Sequence, residues 1–144
     1  MVEKILDNEA IVAIIIRSQY NNEGIEFFTP HNFSQQLGYM SRPKGYNVQP
    51  HTHRIIERTV TLTQEVLFVK SGKVRISLFD NDGVFLDDKI VGSGDVILLA
   101  SGGHGLEVLE DAEIVEIKQG PYSGADDKIK IGSVKKHNES KAII

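Results

Sequence analysis

The chain has no cysteine and no tryptophan, and its 144 residues include only four prolines and two methionines. Without cysteine there are no disulfides and no thiolate ligands, so zinc-finger and iron–sulfur chemistry is excluded. A transition metal would have to be held by nitrogen and oxygen. Acidic residues outnumber basic ones, 20 to 16, for a formal net charge of -4, and no basic block interleaves with aromatic residues. Nucleic acid is therefore not an expected partner. An apolar run at residues 11–16 is too short to span a membrane. The acidic residues ahead of it, Glu3, Asp7 and Glu9, stand where a signal peptide carries basic ones. The expectation is a cytoplasmic protein with no membrane partner, and the length fits a single domain able to bury its own core.

What is present is a series of short β-type segments separated by turn residues. Residues 11–17 are rich in β-branched side chains, and 25–29, 33–41 and 46–53 follow as extended pieces divided by Asn-Asn, Pro30 and the Pro43-Lys44-Gly45 turn. Residues 59–63 alternate Thr with Val and Leu, which suggests a further extended arm. Strands are then expected at 65–69, 74–78, 85–91, 96–99, 106–109 and 113–118, with a hairpin turn at Asp80-Asn81-Asp82-Gly83. Asp95, after Gly94, is expected to accept backbone N–H bonds in a turn. Residues 1–10 fit either a frayed turn or a short helix, and 119–144 form a loop-rich tail whose end is expected to be mobile. Strands this short at near-regular spacing indicate an antiparallel sandwich or barrel.

Within this series, residues 45–72 read GYNVQPHTHRIIERTVTLTQEVLFVKSG. In a strand, His51 and His53 share a face, so both imidazoles can converge on one point. Glu65 shares a face with Leu67 and Val69 in an apolar strand, where an unpaired carboxylate would be costly. A cation bound between the histidines and the carboxylate would resolve that cost, although an isolated His-Thr-His is more often a surface pair. Asn47 and Gln49 are in phase with His51 and are candidates to contact substrate. Glu116 and Lys118 alternate with Val115 and Ile117, the ordinary pattern of a solvent face over a core face. Alternatively, Lys118 reaches the barrel mouth with Gln119 and Tyr122 and holds an anionic group.

The frame Gly45, His51-Thr52-His53, Glu65 and Gly72 resembles the first signature motif of the cupin superfamily. The stretch from Gly94 through His104 is similar to the second. The resemblance implies an all-β, cupin-type double-stranded β-helix (jelly-roll barrel) over residues 33–118, with an additional N-terminal strand in 1–32 and a loop-rich C-terminal tail. It also implies a divalent transition metal, one of Fe, Mn, Ni, Cu or Zn, held by His51, His53, Glu65 and His104. Eleven residues separate His53 from Glu65, more than the motif usually has, so Glu57 is a rival for the carboxylate. Two functions are compatible with such a site. One is an enzyme acting on a small polar molecule, as an oxygenase or as an isomerase or lyase; the other is a non-catalytic binder of a sugar or other small ligand. A homodimer is expected, with the hydrophobic strand at 11–17 adding to a partner sheet.

Overall fold

The computed structural model describes residues 1–132, and among these the chain is all-β, with no α-helix. Its strands are β1 (Val2–Asp7), β2 (Ala10–Ile16), β3 (Gly24–Phe27), β4 (Gly38–Ser41), β5 (Glu65–Phe79), β6 (Phe85–Gly92), β7 (Val96–Leu99) and β8 (Gly103–Lys118). One short 3-10 turn follows at Ala125–Asp127. His137 and the last residues of the tail lie outside the described residues.

One antiparallel sheet dominates, in the order β1-β2-β7-β5-β6, with β8 along the other side of β5; β3 and β4 form a separate hairpin. The first four residues of β5 pair with β7, Glu65 opposite Leu99, while its second half pairs with β6, Lys73 opposite Gly92. β8 accompanies β5 along its whole length, from Glu65 opposite Lys118 to Phe79 opposite Gly103, with register shifts around Val69, Ser71 and Lys73. Such bulges bend the strands that carry them. The bend is severe. In a flat strand, Glu65 and the partner position of His104, Leu78, would stand roughly 40 Å apart at 3.3 Å per residue. Instead, the Glu65 and His104 side chains touch at 3.2 Å. The sheet thus curls into a half-barrel.

The concave face carries the main core. Leu67, Val69, Val74, Ile76 and Leu78 of β5 alternate into it and meet Val12 and Ile15 of β2, Val91 of β6 and Ile97 of β7. A second cluster, Ile14, Ile16, Phe28, Leu37 and Leu98, lies on the opposite face of β2 and β7, beneath the β3–β4 hairpin. Strand β2 is therefore buried on both sides, which explains its uninterrupted apolar sequence.

Several segments differ from the sequence-based reading. Residues 1–10 are neither frayed nor helical, because β1 pairs with β2 from Val2 opposite Ile16. The strand at 11–17 cannot add to a partner sheet, since β1 and β7 already occupy both its edges. Residues 42–64 hold no strand, including the stretch at 46–53. Finally, Val115 and Ile117 of β8 are half exposed and do not form a core face, because nothing among the described residues covers that end of the strand.

At the bend, Gly72 has φ +85°, and a Cβ there would overlap the carbonyl oxygen of Asp111 and the Cα of Ala112. Glycine alone satisfies both the left-handed backbone and the close approach of β8. Gly72→Ala is expected to destabilise the fold by about 2–4 kcal/mol, combining backbone strain with overpacking. Urea unfolding of the two proteins measures this, and an unchanged midpoint would show that the bend does not depend on this glycine.

Candidate functional site

Glu65 is the first residue of β5 and His104 the second of β8. They are far apart in the chain and meet because the curled sheet brings opposite ends of the β5–β8 ribbon together. Glu65 is buried at 8 % exposure, while His104 is more open, so the pair lies at the wall of a cleft with its carboxylate on the protein side. His104 Nε2 lies 3.2 Å from Glu65 Oε2, within ion-pair distance. This contact with His104 holds the Glu65 carboxyl below its ordinary range, outweighing the opposing effect of burial, and the charges of His104, Lys118 and Lys128 act in the same direction.

The cleft has a volume of about 1070 Å³. Leu67 and Ile76 form its apolar floor, Glu65 and His104 one polar wall, and residues 127–132 the other. That second wall was not expected, since the sequence places these residues in a tail. It is fixed at two points. Asp127 accepts hydrogen bonds from Lys118 Nζ and Thr63 Oγ1, each at 3.4 Å, and from Ser123 Oγ at 3.2 Å. Ile131 occupies space left by Gly103, where a Cβ would overlap its Cδ1, and by Gly83, where a Cβ would lie 3.3 Å from its Cγ2. Gly102 and Gly103 both stand at close approaches that a side chain would block. What approaches is the backbone carbonyl of Phe79 at Gly102 and the Ile131 side chain at Gly103.

Gln64, also unremarked in the sequence, fastens the start of β5. It is fully buried; its Oε1 accepts from Gln35 N at 3.0 Å and Ser34 Oγ at 3.3 Å, and its Nε2 donates to Ala100 O at 3.3 Å. Asp95 accepts from the backbone N–H groups of Ser18 and Gly92, at 2.7 and 2.9 Å, as the turn reading expected. It is also reached by Arg17 at 3.1 Å.

The remaining predicted site residues lie elsewhere. His51 and His53 are neighbours, with ring centroids 5.2 Å apart, but both are exposed in the strand-free segment and neither lines the cleft. The His51 Nδ1 pairs with the carbonyl of Gln49 at 2.9 Å. Asn47, Gln49 and Glu57 are exposed in the same segment, and Tyr122 is exposed as well. Lys118 is engaged with Asp127, and that contact raises its pKa. Among the described residues, no group of three or more His, Asp or Glu converges as a metal site. Glu65 and His104 are donors of the right kind for a divalent ion, but two donors are fewer than the three or more protein ligands such sites use.

Fold and site together define an all-β protein with a polar cleft inside a curled antiparallel sheet. No family model matches the chain, and comparison with curated proteins and with solved structures finds no match. No helix among the described residues is long and apolar enough to cross a membrane.

Because folding lowers the Glu65 pKa, its pairing contributes stability above the ordinary carboxylate value of 4.5, and that contribution is lost as pH falls through the lower folded value. Glu65→Gln is therefore expected to flatten the acid limb of the stability–pH curve. Urea midpoints of the two proteins compared from neutral pH down to pH ~3 measure it, and parallel curves would show that Glu65 carries no such linkage.

Proposed function

We propose that the protein is a cupin-type metal-binding protein, in which Glu65 and His104 supply two ligands of a divalent transition ion and His51 and His53 the other two. It acts on a small polar molecule held in the adjoining cleft, as an oxygenase or as an isomerase or lyase. The observation that supports this is the Glu65–His104 contact at 3.2 Å, which joins the two sequence motifs inside a concave, partly apolar cleft. A buried carboxylate and a more open imidazole make a polar end for a substrate. Lys128 and Lys130 in the opposite wall provide cationic groups for an anionic substituent.

The test is metal uptake. Protein stripped with chelator and then titrated with Co(II) is expected to develop visible d–d absorption. His104→Ala or Glu65→Gln is expected to weaken binding at least about tenfold, the effect of losing one anchored ligand. A wild-type protein that takes up no Co(II) overturns the metal assignment. Among the described residues only two donors converge, which favours a second reading, a non-catalytic binder of a sugar or similar polar ligand. Saturable ligand binding by the metal-free protein would select it.

A further inference from the structure

Among the described residues, no strand covers the outer edge of β8. Strand β8 pairs only with β5, so among the described residues a row of backbone donors and acceptors from Gly103 to Lys118 has no strand partner. The edge is also apolar where it should not be, with Leu106, Val108, Val115 and Ile117 exposed between 46 % and 55 %. A long, exposed, hydrophobic edge is a template for another strand.

The same chain carries a segment suited to it. Residues 45–53 are extended in pattern, hold Tyr46 and Val48 exposed, and in a strand would span roughly 30 Å, about the reach of β8 from Gly103 to Asp111. The charges are opposite in sign and so complementary. Asp111 and Glu116 of β8 form no ion pair among the described residues, nor do Arg42, Lys44, Arg54 and Arg58 around the arm. The remaining acidic residues of that edge, Glu107, Glu110 and Glu113, pair at the surface with Arg75, Lys73 and Lys70 of β5.

The arm does not lie on its own β8. Its root at Gln64 is buried and bonded to Gln119 N at 2.9 Å, and residues 58–63 run along a different cleft, beside residues 33–36 and 119–121. The histidines at the far end of the arm do not line the cleft that holds the His104 of the same chain.

We propose that residues 45–53 of a second copy of this chain add as an antiparallel strand to the outer edge of β8. His51 and His53 are thereby laid beside Glu65 and His104, forming a site shared between two chains. With His53 opposite His104, antiparallel pairing sets His51 opposite Leu106 and Gln49 opposite Val108, so all three imidazoles share the face on which Glu65 waits. Exchange of arms is reciprocal, so one twofold contact closes both free edges. The shared site rests on the metal-binding reading above, whereas the strand exchange itself does not.

Two measurements separate these. The chain has no native cysteine, so a tagged Gln49→Cys chain mixed by co-refolding with an untagged Val108→Cys chain reports strand exchange directly. A tagged–untagged disulfide dimer is expected under mild oxidation. A mixture in which only same-variant dimers or monomers form overturns the exchange. For the site, a Glu65→Gln/His104→Ala chain is co-refolded with a His51→Ala/His53→Ala chain. Alone, neither should bind Co(II). Mixed, they should recover roughly a quarter of the wild-type Co(II) binding, because half the dimers are mixed and one of their two sites is intact. If wild-type protein binds Co(II) and the mixture recovers none, the site is built within one chain and the proposal is overturned. If wild-type protein binds no Co(II), the metal reading fails and the shared site with it, while the disulfide result still decides the exchange.

Discussion

The structure depends on the fold-over of one long ribbon. Strands β5 and β8 run side by side through the molecule, and bulges near Val69, Ser71 and Lys73 turn that ribbon back on itself. The turn allows two successive partners, β7 and then β6, to occupy one edge of β5, and it encloses Val69, Val74, Ile76 and Leu78 without solvent contact. It also brings Glu65 to His104. A straight ribbon with the same hydrogen bonds would have neither a concave core nor a polar pair at its mouth. Gly72 is the backbone position on which this rests, because no side chain fits between β5 and the facing Asp111 carbonyl.

Most strands were legible because their periodicity had a local cause. Val74, Ile76 and Leu78 alternate with Arg75 and Ser77, and all three apolar residues are fully buried. The Asp80–Gly83 turn likewise joins β5 to β6. Where the structure departs from the sequence, a longer-range partner is responsible. The polar-looking segment at residues 2–7 is a strand because β2 offers it an edge, not because its own composition asks for one. Residues 46–53 have strand composition, but composition does not supply an edge, and within one chain none is beside them. Only the partners that strands find distinguish these two segments.

The same distinction governs the candidate site. Glu65 on an apolar strand signalled an unmet need for a partner, and His104 is the partner it has in the structure. Its lowered pKa follows first from the contact with His104 and then from the charges of His104, Lys118 and Lys128, which together outweigh the burial that would force a lone carboxylate toward its neutral form. The histidines at 51 and 53 gave a clear local signal, same-face spacing in an extended segment, yet that spacing says nothing about where the segment docks. Gln64 and Asp127 gave no local signal at all. A buried amide beside a carboxylate and an acid in a turn-rich tail acquire meaning only when Ala100, Gln35, Lys118 and Thr63 are seen around them.

The second wall of the cleft hangs outside the sheet, held by Asp127 at one end and by Ile131 seated over Gly83 and Gly103 at the other. The shape of the cleft is thus set by a short strap that contributes no strand and owes nothing to the register of the sheet. Changes in that strap's length or side chains can reshape which molecules the cleft admits while every strand stays in place. Selectivity and scaffold are, in this chain, separately adjustable.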